Sequence, residues 1–151
     1  MKTFTSVEEI LNFAISKEIE SEKFYRKLVS RTDNPKMRDV FDKFAIEELR
    51  HRMKLEAIKR QGKIELDEEK VKDLGIADYV ADVELRPDMS YADILIVAMK
   101  REKAAYRLYL DLAATALAEE LTDTFLMLAQ EEAQHKLRFE IEYDDTVLKG
   151  N

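Results

Sequence analysis

The second half of this chain repeats the first at a constant offset of 84 residues, without a gap. Setting Ser6–Ala57 against Ser90–Ile141 gives 14 identities in 52 pairs, including Ile10/Ile94, Leu11/Leu95, Ala14/Ala98, Glu18/Glu102, Tyr25/Tyr109, Leu28/Leu112, Phe41/Phe125, Ala45/Ala129, Glu48/Glu132 and His51/His135. Many of these matches recur at three- and four-residue spacing, the signature of one helix face. Each half therefore reads as the same unit, a helical hairpin. The reading is a single domain over 1–151, with hairpins at 6–61 and 90–145 joined by a connector at 62–89. Only three Gly and two Pro occur in 151 residues, which favours long helices over a turn-rich β-sandwich.

Local start signals fall where the repeat requires them. Ser6-Val-Glu-Glu9 is a capping box, and Ser90-Tyr-Ala-Asp93 is its counterpart. Asp33-Asn34-Pro35 offers a cap followed by Pro at the first helical position. The turn near Leu117 has no Gly or Pro and is placed by the repeat. The helices are expected at 6–31, 36–61, 90–116 and 119–145, with a short one at Asp67–Leu74 ending at Gly75. A helix of ~26 residues is ~39 Å long, so the connector is long enough to run back along a bundle.

The inward stripes carry charge where a core should not. Helix 1 reads Val7, Leu11, Ala14, Glu18, Ser21, Tyr25, Leu28, and helix 2 reads Met37, Phe41, Phe44, Glu48, His51, Leu55, Ile58. Helix 3 reads Tyr91, Leu95, Ala98, Glu102, Ala105, Tyr109, Leu112, and helix 4 reads Leu121, Phe125, Leu128, Glu132, His135, Phe139. Glu18 and Glu48 are equidistant from Asp33 in the first turn, and Glu102 and Glu132 from Leu117 in the second. Antiparallel helices then hold each pair level. Glu48-Leu-Arg-His51 and Glu132-Ala-Gln-His135 place a carboxylate and an imidazole on one helix face.

Four buried carboxylates without partners would cost several kcal/mol each. No Lys or Arg shares their stripes. Two divalent cations would neutralise them with both histidines uncharged. A mixed carboxylate and imidazole set suits Fe, Mn or Zn better than Ca or Mg. Glu20, Glu22, Glu47 and Glu131 fall off the stripes and read as solvated faces.

Other classes are disfavoured. A net charge of −7 opposes nucleic-acid binding. The absence of Cys excludes disulfides, thiol chemistry and Cys-ligated metal within these residues. Neither a signal peptide nor a membrane span is apparent, and a cytoplasmic protein is expected.

One glutamate from each of two helices and one Glu-x-x-His from each of two others resembles the ferritin-like superfamily, specifically a rubrerythrin-type di-iron carboxylate domain. The resemblance spans Ser6 to about Tyr143. It implies an all-α, ferritin-like four-helix bundle of two repeated hairpins with one long crossover. It further implies two iron ions, with Mn or Zn as alternatives, bridged by Glu48 and Glu132. Glu18 and Glu102 would be terminal carboxylates, and His51 and His135 would bind one ion each. Tyr25 and Tyr109 would contact site carboxylates. Two departures stand out. Ala105 occupies the position of an extra family carboxylate, and no Cys₄ electron-transfer domain is present.

The implied activity is reduction of hydrogen peroxide, or O₂, with electrons from an external donor such as a rubredoxin. Competing readings are a ferroxidase in iron homeostasis and a bundle that uses metal only for stability. A mineral cage is disfavoured because no fifth helix follows Tyr143. Ile46, Ile96, Leu110 and Leu126, apolar but off the stripes, point to surface covered by the crossover and by a homodimer interface.

Overall fold

A computed structural model describes residues 2–62, 65–81 and 83–149; positions 63, 64 and 82 of the connector, and 1, 150 and 151, lie outside it. Four long helices carry the fold: α1 (Val7–Arg31), α2 (Pro35–Arg60), α4 (Tyr91–Thr115) and α5 (Glu119–Tyr143). Between α2 and α4 lie the short α3 (Glu68–Lys72) and a 3₁₀ turn, Ile76–Tyr79. The chain divides into two compact units. One is Phe4–Lys72; the other begins at Asp73 and takes in the N-terminal Thr3, which bridges to Gly75.

In the first unit, α1 starts because Ser6 Oγ accepts from Glu9 N–H at 3.0 Å. The sequence suggested that Glu9 would reach back to Ser6. Its carboxylate instead meets Thr5, taking the hydroxyl at 2.7 Å and the N–H at 3.4 Å. The helix still gains acidic charge at its positive end. Asn34 caps α2, its Oδ1 accepting from Lys36 and Met37 N–H, and Pro35 takes the first helical position.

The hairpin core is apolar at helical spacing. Ile10, Leu11, Ala14 and Leu28 of α1 and Phe41, Ala45 and Leu55 of α2 are fully buried. Burying each large side chain contributes about 1.5–3 kcal/mol. Tyr25 stacks on Phe41 at 6.5 Å and meets Phe24 and Phe44 edge-on at 5.3 and 5.8 Å. At the open end, Lys59 Nζ donates to Asn12 Oδ1 at 2.6 Å, fixing the antiparallel register. The short α3 belongs to this unit. Asp67 Oδ1 caps it and Val71 is its buried anchor. It stops at Lys72, two residues before the expected Leu74.

The second unit repeats the plan. Ser90 Oγ accepts from Asp93 N–H at 3.1 Å to start α4. The α4–α5 turn is Ala116–Ala118, with Leu117 67% exposed. Ala118 supplies no side-chain cap, so Glu119 and Glu120 in the first turn of α5 offer only charge complementarity to the helix dipole. Tyr91 at the start of α4 donates to Glu142 at the end of α5 at 3.1 Å, tying the helix ends at positions that differ from the Asn12–Lys59 tie. The 3₁₀ turn is pinned to α4 by Tyr79, whose hydroxyl donates to Asp111 at 2.6 Å, and by Arg107 near Asp78 at 3.5 Å. Beyond Tyr143 the helical path continues as one π-helical turn to Leu148, past the 145 expected as the end of the last helix.

Val7, Ser21, Tyr91, Ala105 and Leu121, assigned to the inward stripes, are only half-buried. Val7, Tyr91 and Leu121 lie in first turns, where a helix end leaves less to pack against. Ser21 and Ala105 are small residues one turn past the stripe glutamates.

Candidate metal centre

Each hairpin brings three donors together. In the first, Glu18 projects from α1, and Glu48 and His51 from one face of α2; all three are at least 98% buried. His51 Nδ1 lies 3.6 Å from Glu18 Oε2 and 3.7 Å from Glu48 Oε1. In the second, His135 Nδ1 lies 3.5 Å from Glu102 Oε1 and 3.8 Å from Glu132 Oε1, with the same burial. In each triplet one donor atom per residue falls within 4.8 Å of the others.

These distances are too long for hydrogen bonds. They match the spacing of donors around a shared ion. Metal–ligand bonds of ~2.0–2.2 Å place pairs of donors roughly 3–4 Å apart. The chemistry agrees. Two carboxylates and a neutral imidazole carry two negative charges, which one divalent cation cancels. In both triplets Nδ1 faces the carboxylates, leaving Nε2 on the far side of the ring. The donor set therefore fits a borderline divalent metal such as iron, manganese or zinc.

Tyr25 and Tyr109 are 99% buried and stand two turns beyond Glu18 and Glu102 on the same helices. The position one turn beyond each glutamate, Ser21 or Ala105, carries no acid.

Glu142 is a buried carboxylate outside both triplets, engaged by Tyr91. Burial, then the charge and hydrogen bond of Glu142, raise the Tyr91 phenol above its ordinary value. Burial and then the Asp111 hydrogen bond do the same to Tyr79. The Tyr91–Glu142 pair has a sequence signal of its own. The two residues are nearly equidistant from Leu117, the same rule that levels Glu102 with Glu132.

The sequence profile of the rubrerythrin family matches residues 9–143. The chain belongs to the rubrerythrin family. No curated protein matches it. Among solved structures, a candidate ferritin-like diiron-carboxylate protein of Thermotoga maritima superposes with a TM-score of 0.75 at 22% identity, over 97% of this chain and 99% of that one. A hypothetical protein of Pyrococcus furiosus superposes with a TM-score of 0.72 at 24% identity, over 91% and 87%. At these identities the likeness establishes the fold, an all-α ferritin-like bundle. Among the described residues, no helix is long and apolar enough to cross a membrane.

Proposed function

We propose that this rubrerythrin-family chain is a non-haem di-iron oxidoreductase that reduces hydrogen peroxide to water with electrons from an external donor. The observation that carries the reading is the repeated buried triplet, two carboxylates and an imidazole in each hairpin, in a member of this family. In this reading the chain would hold two irons, one in each triplet. Glu18, Glu48 and His51 would hold one ion, and Glu102, Glu132 and His135 the other. When bound, the reduced metal pair supplies the two electrons that cleavage of an O–O bond requires.

The chain's own residues do the rest. The four carboxylates set the charge so that two divalent ions would leave the two triplets neutral. The apolar walls, Leu11, Ala14, Phe41, Leu95, Ala98 and Phe125, keep bulk water away. The Tyr25 and Tyr109 hydroxyls orient site carboxylates or supply the protons that peroxide oxygen takes up. In this reading the electron donor is a protein of the rubredoxin kind, and the proposed place of action is the cytoplasm.

The deciding experiment begins with metal identity and stoichiometry in protein from iron-replete cells. Reduced protein is then mixed anaerobically with H₂O₂ and, separately, with O₂. Faster oxidation by peroxide supports the reading. Faster oxidation by O₂, with Fe²⁺ consumed in excess of the bound iron, replaces it with ferroxidase chemistry. Biological activity retained by Glu48→Ala/His51→Ala protein without metal would reduce the ions to a structural role.

A further inference from the structure

The two repeats agree on their inward ligands and diverge on the outer side of the same helical turns. From Lys100 to Arg107, α4 carries four cations, Lys100, Arg101, Lys103 and Arg107, and its one acid is the buried Glu102. The corresponding stretch of α1, Ser16 to Lys23, sets Lys17 and Lys23 against Glu20 and Glu22, besides the buried Glu18. On α1 the charges are compensated, with Lys17–Glu20 at 3.0 Å and Arg26–Glu22 at 2.8 Å. On α4 the positions of Glu22 and Arg26 are Tyr106 and Leu110, an aromatic ring and a leucine 37% exposed.

That exchange accompanies an open groove of about 480 Å³ along the second hairpin. It is lined by Lys103, Tyr106, Arg107 and Leu110 of α4 and Ala133, Lys136 and Glu140 of α5. Three cations and one carboxylate surround an apolar floor, on a chain whose net charge is −7. Three lining residues are chain neighbours of candidate ligands: Lys103 follows Glu102, Ala133 follows Glu132, and Lys136 follows His135. Only the wall of a helix, ~10 Å across with its side chains, separates groove from ligands.

We propose that this groove docks an acidic one-electron carrier protein that reduces the metal centre, an inference that rests on the functional reading above. A negative carrier is repelled by most of the chain and drawn to this face, which orients it as well as attracting it. Tyr106 and Leu110 give the contact an apolar centre that water leaves on binding. The ion pairs Lys136–Glu140 at 3.2 Å and Arg107–Asp78 at 3.5 Å are solvent-accessible. Such pairs are worth about 0–1 kcal/mol and yield readily to partner carboxylates. Each docked carrier gives up one electron. Two visits return the two electrons that one H₂O₂ consumes, with two protons, in forming two waters.

The test measures binding of an acidic rubredoxin to the metal-loaded protein by surface plasmon resonance across a salt series. Lys103→Glu/Arg107→Glu should slow association by about tenfold or more, within the range of electrostatic steering. Lys23→Glu/Lys27→Glu, an equal change of charge on α1, should leave association unchanged. Equal slowing by both variants would mean bulk attraction without a docking face and overturn the proposal. So would failure of rubredoxin to bind at any salt concentration, or a Lys103/Arg107 effect confined to self-association of the chain. Peroxide oxidation of chemically reduced wild-type protein needs no carrier, so the functional reading and the docking face can fail separately.

Discussion

His135 Nδ1 stands 3.5 Å from Glu102 Oε1, and the relation is repeated by His51 and Glu18 at 3.6 Å in the other hairpin. The two repeats have diverged at most other positions but keep one donor geometry, although neither triplet helps its hairpin fold. Each places two carboxylates inside an apolar core at a cost of several kcal/mol unless a cation offsets it.

Stability and metal binding should therefore move in opposite directions on neutralising one ligand. Glu18→Gln keeps the shape and removes a buried charge. Metal-free Glu18→Gln protein should melt at a higher temperature than metal-free wild type, while the stabilisation gained on adding Fe²⁺ anaerobically should shrink. Glu102→Gln should behave alike. Calorimetry with and without metal checks both, and a metal-free variant less stable than metal-free wild type would contradict the argument.

Most of this site was legible because it is written twice. The offset repeat located Glu18, Glu48, His51, Glu102, Glu132 and His135 as pairs, and equal distance from each turn levelled them. The helix starts were legible for a local reason, since Ser6, Asn34 and Ser90 cap through their own side chains. What stayed hidden depends on three-dimensional neighbours that no repeat announces. Tyr79 meets Asp111 across a connector without periodicity. Glu9 turns to Thr5 because the residue before the cap offers both a hydroxyl and an N–H. The π-helical turn after Tyr143 has no recognisable sequence signal. The groove at Tyr106 and Leu110 became visible only where the repeats disagree.

Alkaline pH should destabilise the second unit through Tyr79 and Tyr91. Both phenols titrate above their ordinary value of 10.0 in the folded chain, chiefly because of burial. The unfolded chain loses these protons first, so their contribution is complete below the unfolded value and declines as pH rises beyond it. Denaturant midpoints measured between about pH 8 and 11 should fall less steeply in Tyr79→Phe/Tyr91→Phe protein than in wild type. Identical slopes would show that neither phenol is linked to folding.

The helix caps predict changes of opposite sign. Asn34 satisfies two backbone N–H groups at the start of α2, whereas Ala118 offers no side chain to α5. Asn34→Ala should cost about 1 kcal/mol, and Ala118→Asp should add up to a similar amount. Urea unfolding of the two variants reads both directions directly.

The exposed face of α5 predicts self-association. Leu126, Met127, Leu137 and Ile141 are 45–55% exposed, and Gln130 and Gln134 lie among them. The matching positions of α2 are Asp42, Lys43, Met53, Ala57, Ile46 and Arg50. Half of those are charged, whereas none of the α5 set is. Depletion of charge with enrichment of Met marks the buried centre of interfaces. Ile46, Leu110 and Leu126, expected to be covered, are exposed in the single chain, while Ile96 is half-covered within it. Two chains of charge −7 can approach most cheaply across a face that carries no charge of its own. Sedimentation should therefore give a dimer, and Leu137→Glu, which places a carboxylate in the middle of that face, should convert it to monomer with helicity unchanged. A wild-type monomer at concentrations of about 100 μM, well above the Kd of a stable interface, would remove the dimer from the picture.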